Sequence, residues 1–96
     1  MKVFFLVRGL GEYAQAYAVA QYLYEANHEL LFISDNEFVG EIIQTDNFDL
    51  QLFENLEEVK NTVEDLHGDA LFLCNSHTTI RYALTRPKRI KKIFRL

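Results

Sequence analysis

Cysteine is nearly missing from this chain. Cys74 stands alone, so no intramolecular disulfide can form and no second thiol is present to complete a cysteine-based zinc site. A small buried thiol is the expectation there, with no metal. Tryptophan is absent, proline and methionine occur once each and glycine four times, and 49% of the residues are hydrophobic against 25% charged. Those proportions exclude collagen-like, low-complexity and disordered classes. No apolar run approaches the roughly 20 residues that span a bilayer. The opening Met1–Val7 passes straight into Arg8 and Gly9 with no small-residue cleavage site of the signal-peptide kind. The sequence therefore predicts a cytoplasmic protein without a transmembrane segment. Its 96 residues predict one domain spanning residues 1–96.

Bases are scarce until the end. Residues 1–80 hold all 14 acids against Lys2, Arg8 and Lys60, whereas Arg81, Arg86, Lys88, Arg89, Lys91, Lys92 and Arg95 crowd the last stretch without an acid among them. A basic block can attract nucleic acid or anionic lipid, but beside so acidic a body its expected role is neutralisation across the domain's own surface. The interleaved aromatic and basic pattern of single-strand binders is missing, so nucleic acid is not an expected partner.

Hydrophobic periodicity supplies the element order. Val3–Val7 is a short apolar run halted by Arg8-Gly9-Leu10-Gly11, which reads as a buried strand. From Glu12 to Ala26 there is neither proline nor glycine, and Tyr13, Ala16, Tyr17, Ala20 and Leu23 recur at helical spacing. Leu30–Ile33 is a second buried strand. After an Asp35-Asn36 capping signal, Phe38, Val39, Ile42 and Ile43 share one helical face. Phe48–Leu52 alternates as a half-exposed strand, and Leu56, Val59, Val63 and Leu66 mark a helix that Gly68 would end. Ala70–Cys74 is a fourth strand, Thr78–Thr85 a short helix stopped by Pro87, and Ile90–Leu96 a last strand.

The alternation of buried strands and helices requires right-handed crossovers and a sheet covered on both faces. It predicts an α/β fold: a three-layer, Rossmann-like domain with a five-stranded parallel sheet in the order 3-2-1-4-5. The expected core is Val3, Phe5, Val7, Ala16, Ala20, Leu23, Leu31, Ile33, Leu71 and Leu73.

Ligands of open parallel sheets bind beyond the carboxyl ends of the strands. Function is thus expected in four loops: Arg8–Tyr13, Ser34–Glu37, Phe53–Asn55 and Asn75–Thr79. In the first, Gly9-Leu10-Gly11-Glu12-Tyr13-Ala14 fits G-x-G-x-x-[G/A] between a strand and a helix, where glycines let a phosphate approach the helix N-terminus. Asp35 ends the second strand, near where a ribose-binding acid would sit. Against a dinucleotide stands Glu12, which puts a negative charge where pyrophosphate would lie, so weak or no NAD binding is expected. The glycines could instead serve only a tight turn and close packing, with Glu12 facing the helix dipole. A phospho-receiver domain is disfavoured because the first strand lacks a following acidic pair and the third ends in Phe53-Glu54.

The strand, Arg8-Gly9-Leu10-Gly11-Glu12, the alanine-rich helix ending Gln21-Tyr22-Leu23, and Asn27-His28-Glu29-Leu30 before the second strand together resemble the N-terminal domain of GT-B glycosyltransferases, over residues 2–34. The pattern is most similar to MurNAc-lipid N-acetylglucosaminyltransferases and to sterol and antibiotic UDP-sugar transferases. The chain departs from it at Glu12, where many relatives have histidine, and at Asn27, which replaces a glycine. The resemblance implies an acceptor-side domain, inactive without a donor-binding domain or subunit, taking a lipid or glycan acceptor. Glu12 is the first candidate base and His77 the second; Gly9, Gly11, Asp35 and Ser76 are the candidate ligand-binding residues, and no cofactor or metal is implied. His28 and His67 are placed away from the chemistry, at a strand start and a helix end. The competing readings are a nucleotide-binding or dinucleotide-binding regulatory domain and a non-catalytic interaction domain. Each site residue also has a local role open to it: Glu12 as dipole partner, Asp35 and Ser76 as helix caps, His77 as an exposed loop residue.

Overall fold

The computed structural model describes residues 1–74 and 87–96. Along the chain run β1 (Lys2–Leu6), α1 (Leu10–Glu25), β2 (Glu29–Ser34), α2 (Glu37–Thr45), β3 (Leu50–Leu52), α3 (Leu56–Glu64), β4 (His67–Leu73) and β5 (Arg89–Arg95). All strand pairings are parallel and the order is β3-β2-β1-β4-β5. This is the Rossmann-like α/β sheet that the element order requires. The expected helix over Thr78–Thr85 lies outside the described residues. Among the described residues no helix is long and apolar enough to cross a membrane.

The central strand explains the layers. Alternate side chains of β1 enter two separate cores, which is why its sequence is apolar without interruption. Val3, Phe5 and Val7 join Phe32, Ala70 and the inner faces of α1 and α2. Phe4 and Leu6 join Ile33, Leu71, Leu73 and the Val59 and Val63 of α3. On the α1–α2 side the rings of Phe32, Phe5, Phe72 and Phe94, one from each of β2, β1, β4 and β5, stack at successive centroid distances of 4.9 Å. That repeat is close to the strand spacing itself, so register alone builds the stack.

Two asparagines end helices. Asn27 (φ 66°) and Asn47 (φ 65°) occupy the left-handed position after α1 and α2. In each case the next residue's N–H reaches back to close the cap, His28 N to Leu23 O at 3.1 Å and Phe48 N to Ile43 O at 3.2 Å. Asparagine tolerates this conformation better than other side chains apart from glycine, so Asn27 suits the position.

Several local expectations are corrected. Phe48 belongs to the α2 cap and is buried, and β3 begins only at Leu50. α3 stops at Glu64, and His67 and Gly68 lie in β4 instead of ending a helix. Gly68 has no left-handed φ; a Cβ there would lie 2.7 Å from Phe4 Cε2 and 3.1 Å from the Lys2 carbonyl oxygen, so glycine is required for close packing. Leu23 and Leu31 are half-buried, each packed at the edge of a core cluster, while the other eight expected core residues are buried. Phe38 is 62% exposed, one position off the buried stripe of Val39 and Ile43. β5 is an exposed edge strand, and its basic character is tied to the body where Lys91 Nζ meets Asp69 Oδ1 at 3.3 Å. The Lys2 backbone N–H, with Lys91 second, holds the Asp69 carboxyl below its ordinary range.

Candidate functional site

At the carboxyl ends of β1, β2 and β3 the loops part around a cleft of about 580 Å3. β1 delivers Arg8 to it; the turn after β2 delivers Asp35, Asn36, Glu37 and Phe38; the end of β3 delivers Leu52, Phe53 and Glu54. Three of the four loops expected to carry function therefore meet here, and the fourth, Asn75–Thr79, lies outside the described residues.

Arg8 organises the floor. Its Nε and Nη2 each donate to an Asp35 carboxylate oxygen at 3.2 Å. Its backbone N–H donates to Glu12 Oε1 at 3.0 Å, and its carbonyl accepts from Asn36 Nδ2 at 3.0 Å. Asn36 simultaneously caps α2, its Oδ1 accepting from the Phe38 and Val39 N–H groups at 3.0 and 3.3 Å. The cap of α2 is thus Asn36, and Asp35 spends both oxygens on Arg8. One residue pins the first loop to the second through main chain and side chain alike.

The first loop leaves α1 opening at Gly9, in extended conformation and without a side-chain cap. Neither Gly9 nor Gly11 adopts a positive φ. A Cβ on Gly9 would meet nothing closer than Glu12 Oε2 at 3.9 Å, and one on Gly11 would meet nothing within 4 Å. Close packing against neighbouring chain therefore does not explain the two glycines. The Glu12 carboxylate is folded back over the turn, so negative charge already occupies the helix N-terminus. Its field, second to burial, pushes the Cys74 thiol up to about 12. Cys74 is fully buried and chemically quiet at neutral pH.

The structure thus brings Arg8 and Asp35 together in the cleft, sets Glu12 behind them through the Arg8 main chain, and places Gly9 and Gly11 at the α1 start. Ser76 and His77 lie outside the described residues. His28 sits at the opposite end of the sheet, where its Nδ1 lies 3.0 Å from the Met1 amine. Among the described residues no cluster of three or more histidine, cysteine or acidic side chains could hold a metal ion. Glu37, Phe38 and Glu54 gain significance only from the cleft; their sequence signal was position just after strands two and three. No protein-family model, curated protein or solved structure matches the chain.

Proposed function

We propose that the chain is the N-terminal, acceptor-side domain of a GT-B-type glycosyltransferase and works with a domain or subunit that binds the nucleotide-sugar donor. One observation carries this reading: the cleft pairs carboxylates with an exposed and a half-buried phenyl ring, while Glu12 lies at the phosphate-seeking helix end. A sugar presents hydroxyls around its rim and C–H groups on its faces, which suits Glu37 and Glu54 beside Phe38 and Phe53. A diphosphate needs cations or open N–H groups, and among the described residues the cation lining this cleft, Arg8, is committed to Asp35. The donor is therefore assigned to the other half.

Transfer requires a base that takes the proton from an acceptor hydroxyl as its oxygen attacks the anomeric carbon and the nucleoside diphosphate leaves. Glu12 is proposed for that role, with His77 as the second candidate. Glu12→Gln keeps an oxygen to accept the Arg8 N–H but cannot take a proton. In a complex reconstituted with the donor-binding half, it should melt close to the parent and lose transfer; unchanged transfer at saturating donor removes Glu12 as the base.

Asp35 at the end of β2 favours a nucleotide-binding regulatory domain as the second reading. Calorimetry of the chain with NAD, NADP, ATP and neutral oligosaccharides separates the two. Micromolar dinucleotide binding without saccharide binding would replace the glycosyltransferase reading with this one.

A further inference from the structure

Resting on the acceptor-side reading, we infer that the cleft selects an amine-bearing saccharide over neutral or acidic ones. The charges decide this. Arg8 and Asp35 cancel each other in a two-point pair at the floor. Glu37 and Glu54 remain, both exposed, one from the start of α2 and one from the end of β3. Among the described residues neither carboxylate is met by a cationic side chain. An acceptor entering the cleft meets two negative charges and, among the described lining residues, no uncommitted positive one.

The walls add a second constraint. Phe38 is 62% exposed and Leu52 42%, with Phe53 half-buried beside them. A phenyl face attracts an ammonium as well as the C–H face of a sugar ring, so the same wall favours a cationic sugar twice over. A uronic acid or phosphorylated sugar would set its own anion against Glu37 and Glu54, with no free cation among the described lining residues to offset the repulsion. Exposed ion pairs are individually modest, so each carboxylate should contribute about threefold in affinity, and the two together about tenfold.

Three trimers of closely related shape test this: glucosamine, N-acetylglucosamine and galacturonic acid, titrated into the isotope-labelled chain in mildly acidic buffer and followed by amide NMR shifts. The glucosamine trimer should bind about tenfold tighter than the N-acetylated one, shifting Arg8, Asn36, Phe38 and Glu54, and the advantage should vanish at about 0.5 M salt. The galacturonic trimer should be the weakest. Glu37→Gln and Glu54→Gln should each reduce glucosamine-trimer affinity about threefold more than they reduce that of the neutral trimer. Equal binding of the neutral and amine trimers within the cleft overturns the charge selection and leaves the acceptor reading standing. Shifts confined to acidic surface away from the cleft, or tighter binding of the acidic trimer, also overturn the selection. No saccharide response at the cleft from any trimer overturns both.

Discussion

The pairing of Arg8 with Asp35 is the contact on which the cleft's shape depends, and a double-mutant cycle measures it. Its two hydrogen bonds are each 3.2 Å long, with 28% of the Arg8 side chain and 11% of the Asp35 side chain exposed. Fully exposed pairs are worth about 0.2–1 kcal/mol, whereas breaking a buried one costs about 3–5 kcal/mol. This pair lies between those limits. Arg8→Ala leaves a nearly covered carboxylate without its partner and should cost about 2 kcal/mol. Asp35→Ala should cost about 1 kcal/mol, because the more exposed guanidinium can turn to water. The double variant should cost about 2 kcal/mol, leaving a coupling near 1 kcal/mol. Arg8→Lys should recover little, since an ammonium cannot make the two-point contact. Urea unfolding of the five proteins is the assay; for a chain of this size the Arg8→Ala loss also corresponds to a fall of roughly 10 °C in Tm. The main-chain bonds of Arg8 to Glu12 and Asn36 survive every substitution, so the cycle isolates the side chains. A coupling below about 0.3 kcal/mol would refute the reasoning, since it would mean the two ions are solvated separately and do not fix the cleft floor.

Gly68→Ala should destabilise by about 1–3 kcal/mol through overlap with the Phe4 ring, and Phe4→Leu in the same chain should return part of that loss; strictly additive costs in chemical denaturation would rule out the contact. Asn36→Ala should lose about 1–2 kcal/mol, and Asn36→Asp less, because the aspartate keeps the cap and forfeits only the bond to the Arg8 carbonyl. Equal losses for the two would show that the cap is not what Asn36 contributes. Burial raises the Cys74 thiol from 9.0 to about 12, so its protonated form is favoured in the fold. That stability is complete below pH 9 and declines towards pH 12, at up to about 1.4 kcal/mol per pH unit. Burial raises the Tyr13 phenol as well, with its 2.6 Å hydrogen bond to Asp46 acting in the same direction, and extends the decline above pH 10. Unfolding free energies measured from neutral to alkaline pH should fall less steeply in Cys74→Ala than in the parent, and identical slopes would contradict a buried neutral thiol.

The alternation of strands and helices is legible in local periodicity, and right-handed crossovers narrow the sheet to a few orders, of which a central first strand selects 3-2-1-4-5. The apolar run of Val3–Val7 and the three- and four-residue spacing in α1 are visible without knowing what they touch. The sequence also located the cleft's loops, since the carboxyl ends of parallel strands are fixed once the order is known. Tertiary structure decided what each loop residue does there. Arg8 and Asp35 stand 27 residues apart and meet only because β1 and β2 are neighbours, which freed Asp35 from the capping role and gave it to Asn36. Gly68 reads as a helix stop from its neighbours in sequence, yet it lies in β4, where the Phe4 ring from a strand far earlier in the chain fills the space a side chain would need. Phe48 alternates like a strand residue yet is drawn into the α2 cap, where it packs against Phe32 at 5.2 Å. Periodicity is a property of neighbours along the chain; charge pairing, close approach and burial depth are set by residues that only folding brings together.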